Sequence, residues 1–155
     1  MDEDDPSGIY ARESSYLDRY VQLGIAGDRV VSVSFPGTPA EDAVDDLELL
    51  DRIERYLEGT KSDFSAVTVG LTVPADQRAV LEAVREIPYG EQVSVERLTG
   101  TVPDLDSEVS EDLDSVRTAL AENPVPIFVP DHRVRDGPSA APPRVEQRLR
   151  SIENL

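Results

Sequence analysis

The residues best suited to chemistry are grouped near the C-terminus, in residues 123–134. This segment starts with Asn123 before a proline, continues as an apolar run held extended by three prolines, and ends in Asp131, His132 and Arg133. An acid, an imidazole and a guanidinium at the end of a run that enters a core predict a buried functional cluster. His132 is the only histidine of the chain, and the spacing alone favours a hydrogen-bonded structural histidine over a catalytic one.

Two features of the composition limit the chemistry of this cluster. The sequence has no cysteine, which excludes disulfides, thiolate metal sites and thiol nucleophiles. A single histidine with no thiolate partner argues against zinc. We therefore expect no metal and no cofactor.

The composition also predicts a globular protein with a strongly acidic surface. The chain has 155 residues, 39% of them hydrophobic, and a net charge of −17 from 32 acidic and 15 basic residues, with Lys61 as the only lysine. Acids spread along a chain with almost no lysine are typical of a halophile that accumulates salt. Such a surface repels DNA in dilute buffer, but at molar salt the Debye length is only about 3 Å. The charge therefore weakens a nucleic-acid function without excluding it.

The sequence predicts a cytoplasmic protein with no membrane partner. It contains no apolar run of about 18 residues or more, and its first residues are acidic, unlike the basic start of a signal peptide. We also expect a monomer.

The elements that must position the cluster are predicted from hydrophobic periodicity. Residues 1–15 have no apolar period and are predicted to form a flexible leader, and residues 16–73 an N-terminal α+β domain. The expected elements of that domain are a β-hairpin of residues 20–26 and 29–35 around Gly27 and Asp28, an amphipathic helix of residues 41–58, and a third strand of residues 64–73.

Pro74 marks the expected boundary to a mainly helical domain of residues 74–155. Its expected helices are one around residues 80–87, two capped by Ser94 and Ser110 on either side of a polar loop, and a last one over residues 145–152. Two helices across a connector, preceded by a helix and followed by an extended segment, are compatible with a helix-turn-helix or winged-helix module. The pattern alone also allows other helical arrangements.

Four phrases of the sequence carry a family resemblance. They are Tyr-Leu-Glu-Gly at residues 56–59 with Asp-Phe at 63–64, Ile-Pro-Tyr-Gly-Glu-Gln-Val-Ser at 87–94, Asn-Pro at 123–124, and Pro-Asp-His-Arg-Val at 130–134. With them the chain resembles the O6-alkylguanine-DNA alkyltransferase family, whose signature has Pro-Cys-His-Arg-Val at the last phrase. The resemblance covers most of the chain. It implies an α+β fold in which a small ribonuclease-H-like N-terminal α/β domain precedes a winged-helix C-terminal domain.

The resemblance implies a role for each residue of the cluster. Asp131 stands where the family has the cysteine that accepts the alkyl group from a flipped guanine, so the family's reaction has no acceptor sulfur here. His132 matches the family's base, and Glu153 matches the carboxylate that orients it. Asn123 matches a hinge position beside the active-site loop, and Arg133 matches an arginine that holds neighbouring chain by ion pairing.

At the DNA-binding positions implied by the resemblance, this chain differs more from the family. Val95 stands where the family has the tyrosine that rotates the target phosphate, and Asp114 where it has the arginine that fills the space left by the flipped base. Arg117 follows Asp114 on the same predicted helix and is expected to face the same way, and Arg133 completes the candidates. The loop that walls the base pocket is replaced by Pro-Ser-Ala-Ala-Pro-Pro at residues 138–143.

Three functions follow as alternatives. The first, which we expect, is a non-catalytic alkyltransferase-like protein that binds alkylated double-stranded DNA, recruits other DNA-repair proteins and is not an enzyme. The second is a degenerate family member that no longer binds DNA and acts through protein contacts. The third is a hydrolase or alkyl acceptor that uses Asp131 with His132 and Glu153, although a carboxylate is far less nucleophilic than a thiolate.

Overall fold

The fold begins with a three-stranded antiparallel sheet. The computed structural model describes residues 7–155, and within them β1 (Gly8–Ser14), β2 (Arg19–Ala26) and β3 (Arg29–Ser34) pair in the order β1-β2-β3. The predicted β2–β3 hairpin is confirmed. It turns at Gly27, whose φ of 63° is a conformation that glycine adopts without strain.

The first strand corrects the predicted flexible leader. Residues 8–14 pair with β2 over their whole length, so this part of the leader is a strand of the sheet. Residues 1–6 of the predicted leader lie outside the described residues. The sequence hides the strand because Ala11 is its one buried residue, and the strand is therefore held by backbone hydrogen bonds to β2 more than by an apolar face.

The first helix is shorter than predicted. It is α1 (Glu48–Leu57), whereas periodicity predicts residues 41–58. Val44 fits the apolar stripe, but it exchanges backbone hydrogen bonds of 3.0 Å with Ile9 and Ala11 of β1 and is 52% exposed. The amide and carbonyl of Val44 are therefore bonded to the edge of the sheet, and they are not free to form the hydrogen bonds of a longer helix. The buried face of α1 consists of Leu50, Ile53, Tyr56 and Leu57.

The predicted third strand, residues 64–73, is wrong. Within the described residues this segment makes a single isolated bridge to the sheet, at Val30 of β3. Three of its backbone carbonyls instead accept hydrogen bonds from the Arg85 guanidinium, at 2.8 to 3.2 Å. Its alternating apolar residues still pack against the core. The alternation thus indicates which side faces inward and does not determine the backbone pairing.

The second half of the chain is mainly helical, as predicted. Its helices are α2 (Ala75–Val84), α3 (Val95–Thr101), α4 (Ser110–Ala121) and α5 (Pro143–Ile152), with a 3-10 turn at Asp131–Arg133 between α4 and α5. The predicted cap at Ser94 is confirmed, because its hydroxyl accepts a hydrogen bond of 3.0 Å from the Arg97 amide. The predicted cap at Ser110 is wrong by one residue, because Val109 is the N-cap of α4.

The two halves of the chain share a core, and the polar cluster lies where they meet. α1 packs against α5, and α2 packs against α3 and α4. A backbone hydrogen bond of 2.9 Å also joins Val33 of β3 to Pro124. These contacts confirm the mixed α+β class. Across residues 7–155, no helix is long and apolar enough to cross a membrane.

Candidate functional site

Asn123 shapes the loop that carries the polar cluster. Its buried side chain accepts from the Val125 amide at 3.0 Å and donates to the Val129 carbonyl at 2.9 Å and to Asp131 Oδ2 at 3.1 Å. Between these contacts, Ile127 has a φ of 80°, which is strained for a β-branched residue. The side chain of Asn123 thus stabilises a tight bend. This bend positions the 3-10 turn of Asp131–Arg133 against α5.

Glu153 gathers one set of polar groups just after α5, which we call the Glu153 network. A carboxylate only accepts, so His132 donates to it through Nε2, at 2.6 Å from Oε2. The Arg133 guanidinium binds both oxygens, with Nε 2.8 Å from Oε1 and Nη2 3.2 Å from Oε2. The Gly90 amide donates to Oε1 at 3.0 Å, and the Tyr56 hydroxyl donates to Oε2. The contact of Glu153 with His132 that the resemblance implies is therefore present, and the ion pair expected of Arg133 is made with Glu153.

The charge balance of the Glu153 network keeps its carboxylate ionised. Burial opposes ionisation, but the hydrogen bonds from His132 and Arg133 outweigh it and lower the pKa of Glu153 to about 2. Burial, followed by the charge of Glu153, raises the pKa of Tyr56, so the phenol stays protonated. Nδ1 of His132 has no hydrogen-bond partner within residues 7–155. Glu153 thus fixes the orientation of the imidazole through Nε2, and Nδ1 is buried.

Asp131 gathers a second set of polar groups, which we call the Asp131 network. Its carboxylate is 1% exposed. Oδ1 accepts from the Ser139 hydroxyl at 2.5 Å, and Oδ2 accepts from the Ala140 amide at 2.9 Å and from Asn123 Nδ2 at 3.1 Å. Asp131 is therefore tied on one side to the Asn-Pro turn and on the other to the loop before α5.

The Asp131 network contains no arginine or lysine among the residues that the structure describes. Burial raises the pKa of Asp131, although the hydrogen bonds from Ser139, Ala140 and Asn123 act in the opposite direction. No hydrogen bond between described side chains joins Asp131 to His132. The cluster predicted from the sequence is thus two adjacent networks. The arrangement leaves Asp131 neither exposed nor bonded to a base that would activate it.

The four candidate DNA-binding residues divide into two buried and two exposed ones. Val95 is 1% exposed, so it is a core residue and not a surface contact. Arg133 is 8% exposed, and its guanidinium is held in the Glu153 network. Asp114 and Arg117 lie on the exposed face of α4, as expected, and form an ion pair of 3.1 Å with each other.

Sequence reasoning missed four contributors to the site, one of which is the Gly90 amide of the Glu153 network. Tyr56 comes from the buried face of α1, and its hydroxyl lies 3.3 Å from His132 Nε2; the Tyr-Leu-Glu-Gly phrase is its only signal in the sequence. Ser139 is signalled only by the altered composition of the loop before α5. Ala140 contributes its backbone amide, and a backbone contact leaves no signature in a residue type.

A groove of about 840 Å³ lies beside the cluster. Phe64, Phe128, Tyr89 and Arg133 are among its lining residues, whereas Asp131 does not line it. In the part of the chain that the structure describes, no group of three or more His, Cys, Asp or Glu side chains could hold a metal ion. The groove therefore reaches the cluster at Pro130 and Arg133 and not at the Asp131 side chain.

Comparisons with known proteins find relatives of this chain. The family model described as 6-O-methylguanine DNA methyltransferase, DNA binding domain, matches residues 75–140. A methylated-DNA–protein-cysteine methyltransferase of Methanopyrus kandleri is 39% identical over 108 residues, which cover 68% of this chain and 77% of that protein. A protein of the same name from Metallosphaera sedula is 26% identical over 128 residues, covering 79% of this chain and 78% of that protein.

The fold is also similar to solved structures. Mycobacterium tuberculosis OGT in complex with DNA superposes with a TM-score of 0.71 and 22% identity, over 95% of this chain and 91% of that chain. The O6-methylguanine-DNA methyltransferase of Pyrococcus kodakaraensis superposes with a TM-score of 0.66 and 17% identity, over 96% of this chain and 100% of that chain. At these identities the similarity establishes a shared fold.

Proposed function

The chain belongs to the methylated-DNA–protein-cysteine methyltransferase family, and from this premise we propose that it is a non-catalytic member that binds alkylated double-stranded DNA in DNA repair. The observation that supports the proposal most strongly is the hydrogen bonding of His132, Glu153 and Asp131. Glu153 accepts from His132, and Asp131, at the position that the resemblance assigns to the acceptor cysteine, has both oxygens hydrogen-bonded, to Asn123 and Ser139 among others. Such a site keeps its positioning groups and lacks the atom that would accept an alkyl group.

The DNA-binding surface that we propose is a winged-helix module within residues 74–155, which follows a ribonuclease-H-like domain of residues 16–73. Support comes from the order of α2, α3 and α4 and from their mutual packing. Arg97 of α3 and Arg117 of α4 are exposed cations on the two helices that such a module presents to a duplex. We assign phosphate contacts to these two arginines, since phosphate contacts position a protein on DNA.

A DNA titration in multimolar potassium chloride tests the proposal, because the acidic surface requires strong screening. The fluorescence anisotropy of a duplex with one O6-methylguanine is compared with that of the same duplex with guanine. A weakly paired base costs less to extrude from the duplex. We therefore expect the alkylated duplex to bind about tenfold tighter, a difference of about 1.4 kcal/mol. Equal affinity for both duplexes, or affinity for neither, contradicts the proposal.

Arg117→Ala and Arg55→Ala form a matched pair in this titration. Each removes one exposed arginine, Arg117 from α4 and Arg55 from α1. Loss of a phosphate contact weakens binding of both duplexes alike. We therefore expect Arg117→Ala to weaken both and Arg55→Ala to leave both unchanged. Equal losses from the two substitutions would assign the effect to net charge instead of a local contact.

A second candidate function is a family member that does not bind DNA and acts through protein contacts. It is favoured by Asp114, which is exposed on α4 at the position of the expected inserting arginine and which pairs with Arg117. An acid at that position repels the phosphate backbone. Asp114→Arg separates the two candidates. An increase in duplex affinity over a wild-type chain that already binds supports the first function, and no binding by either chain supports the second.

The third expectation, a hydrolase or alkyl acceptor at Asp131, draws no support from the geometry. A carboxylate nucleophile needs a lone pair directed at its substrate. Asp131 is 1% exposed, and its two oxygens accept from Ser139, Ala140 and Asn123. The carboxylate would have to give up these bonds before it could attack.

A further inference from the structure

The loop before α5 bonds inward to a buried carboxylate. The Ser139 hydroxyl donates to Asp131 Oδ1 at 2.5 Å and accepts from the Ala141 amide at 3.1 Å. The Ala140 amide donates to Asp131 Oδ2 at 2.9 Å. Three consecutive residues of the loop therefore depend on Asp131, two of them directly and Ala141 through the hydroxyl of Ser139.

The loop also covers the residue to which it bonds. Asp131 is 1% exposed and Ala141 is 5% exposed. From the other direction, Asn123 Nδ2 holds Asp131 at 3.1 Å while it also binds the Val129 carbonyl at 2.9 Å. The carboxylate is thus fixed between a rigid turn and the loop. It cannot turn outward without breaking hydrogen bonds on both sides.

We propose that Asp131 is a positioning residue that latches residues 139–141 across the acceptor position and keeps this position closed in the free protein. The physical reason is that one carboxylate supplies acceptors for several donors at once, and a buried donor left without a partner is costly. The sulfur of a cysteine is only a weak acceptor. An aspartate at this position therefore changes the loop as well as the chemistry, and a base could enter only after the latch opened.

Hydrogen exchange of the Ala140 and Ala141 amides, followed by NMR on the full chain without DNA, tests the latch. Asp131→Ala removes the acceptors, and we expect both amides to exchange at least about tenfold faster, as expected for the loss of hydrogen-bond protection. Asp131→Asn retains an oxygen for Ala140 and an amide that can donate to Ser139, so we expect rates within about threefold of the wild type. Unchanged rates in Asp131→Ala would overturn the latch.

The Arg97 amide is an internal reference for these experiments. It is held by the Ser94 hydroxyl at 3.0 Å, in α3 and outside both networks. We expect its exchange rate to stay constant in Asp131→Ala. Equal acceleration at Arg97 and at the loop amides would indicate global unfolding and would contradict a local latch.

Ser139→Ala and Ser94→Ala are a matched pair that leaves Asp131 intact. Each deletes a hydroxyl that accepts from a nearby amide, that of Ala141 or that of Arg97. We expect Ser139→Ala to accelerate exchange at Ala141 at least about tenfold and Ser94→Ala to affect Arg97 only. Exchange at the wild-type rate for Ala141 in Ser139→Ala would refute the latch.

Thiol labelling gives a second readout, because the chain has no cysteine. Ala141→Cys places a single thiol in the closed loop, and Val44→Cys places one at a position that is 52% exposed. We expect Ala141→Cys to react with a small methanethiosulfonate at least about tenfold more slowly than Val44→Cys, and the added Asp131→Ala substitution to remove most of that difference. A labelling rate that does not depend on residue 131 would overturn the proposal.

Neither readout involves DNA. If the chain shows the expected exchange and labelling but does not bind the alkylated duplex, the latch is supported and the proposed function is contradicted. If the chain binds the duplex but Asp131→Ala changes neither exchange nor labelling, the proposed function is supported and the latch is contradicted.

Discussion

The Glu153 network and the Asp131 network hold two buried carboxylates in different ways. Glu153 is 3% exposed and paired with a guanidinium, and its pKa falls to about 2. Asp131 is 1% exposed and held by neutral donors, and its pKa is raised. Burial therefore does not by itself determine the charge of a carboxylate, since its hydrogen-bond and ion-pair partners decide whether the ionised form is favoured. The family resemblance implies the His132–Glu153 contact of the Glu153 network, and it implies no contact of the Asp131 network.

The largest expected effect comes from neutralising the carboxylate that has a cationic partner. Glu153→Gln leaves the Arg133 guanidinium buried without its counter-charge, so we expect a loss of about 3–5 kcal/mol in the free energy of unfolding. Urea denaturation in concentrated potassium chloride measures this loss. Glu82→Gln, on an exposed position of α2, is the control and should change stability by less than about 0.5 kcal/mol. A loss below about 1 kcal/mol in Glu153→Gln would mean that the ion pair contributes little.

The same change in the Asp131 network should cost much less. Asp131→Asn strands no cation and can keep its contacts to Ala140 and Ser139, so we expect a loss below about 1 kcal/mol. Asp131→Ala leaves the donors of Ser139, Ala140 and Asn123 without acceptors, and we expect a loss of about 2 kcal/mol. Urea denaturation of the two variants gives both values. If Asp131→Asn were as damaging as Glu153→Gln, the contrast between the networks would fail.

A smaller loss is expected from removing one neutral donor of the Glu153 network. Tyr56→Phe deletes the hydroxyl that donates to Glu153 Oε2, and the ion pair with Arg133 remains. We expect a loss of about 1.5 kcal/mol, the lower end for a hydrogen bond to a charged group. Tyr16→Phe is the matched control, because its hydroxyl donates to the Arg148 carbonyl at 3.0 Å in an exposed hydrogen bond. Thermal unfolding of both variants ranks them, and an equal or larger loss in Tyr16→Phe would contradict the expectation.

The last expected effect is a pH dependence of opposite sign in the two networks. The pKa of folded Glu153 lies near 2, below its ordinary 4.5, so its contribution to stability is complete above pH 4.5 and is lost as the pH falls towards 2. The pKa of folded Asp131 lies above its ordinary 3.8 because burial outweighs its hydrogen bonds. Its contribution is therefore present below pH 3.8 and is lost as the pH rises through the folded pKa.

The variant Asp131→Asn tests the pH dependence of the Asp131 contribution separately from that of Glu153. Because the amide does not titrate, the free energy of unfolding of the variant minus that of the wild type should increase as the pH rises through the folded pKa of Asp131. Urea denaturation at a series of pH values measures the difference. A difference that is constant or that decreases over this range would show that the carboxylate is not destabilised by burial.

The sequence predicts the Glu153 network better than the Asp131 network for a physical reason. The family resemblance implies the pairing of Glu153 with His132, and the charges of His132, Arg133 and Glu153 must be matched once they are buried. The contacts of Asp131 depend on a loop hydroxyl and on the Ala140 amide, and both are set by the backbone path of the loop. No residue type encodes that path.

The fold shows the same division between local and long-range information. The hairpin at Gly27 and the cap at Ser94 follow from short-range patterns and are confirmed. The strand of residues 8–14 pairs with the neighbouring β2 across a short turn, but it has only one buried residue to signal it. The irregular segment of residues 64–73 depends on Arg85, which lies further along the chain. A local pattern cannot reveal which distant group satisfies a backbone carbonyl.

The claim that Asp131 is a latched structural carboxylate and not an acceptor is tested most directly by intact-mass spectrometry. The wild-type chain is incubated in multimolar potassium chloride with an excess of duplex containing O6-methylguanine, and its mass is then measured. We predict that the mass is unchanged. A gain of one methyl group, mapped by fragmentation to Asp131, would contradict the account.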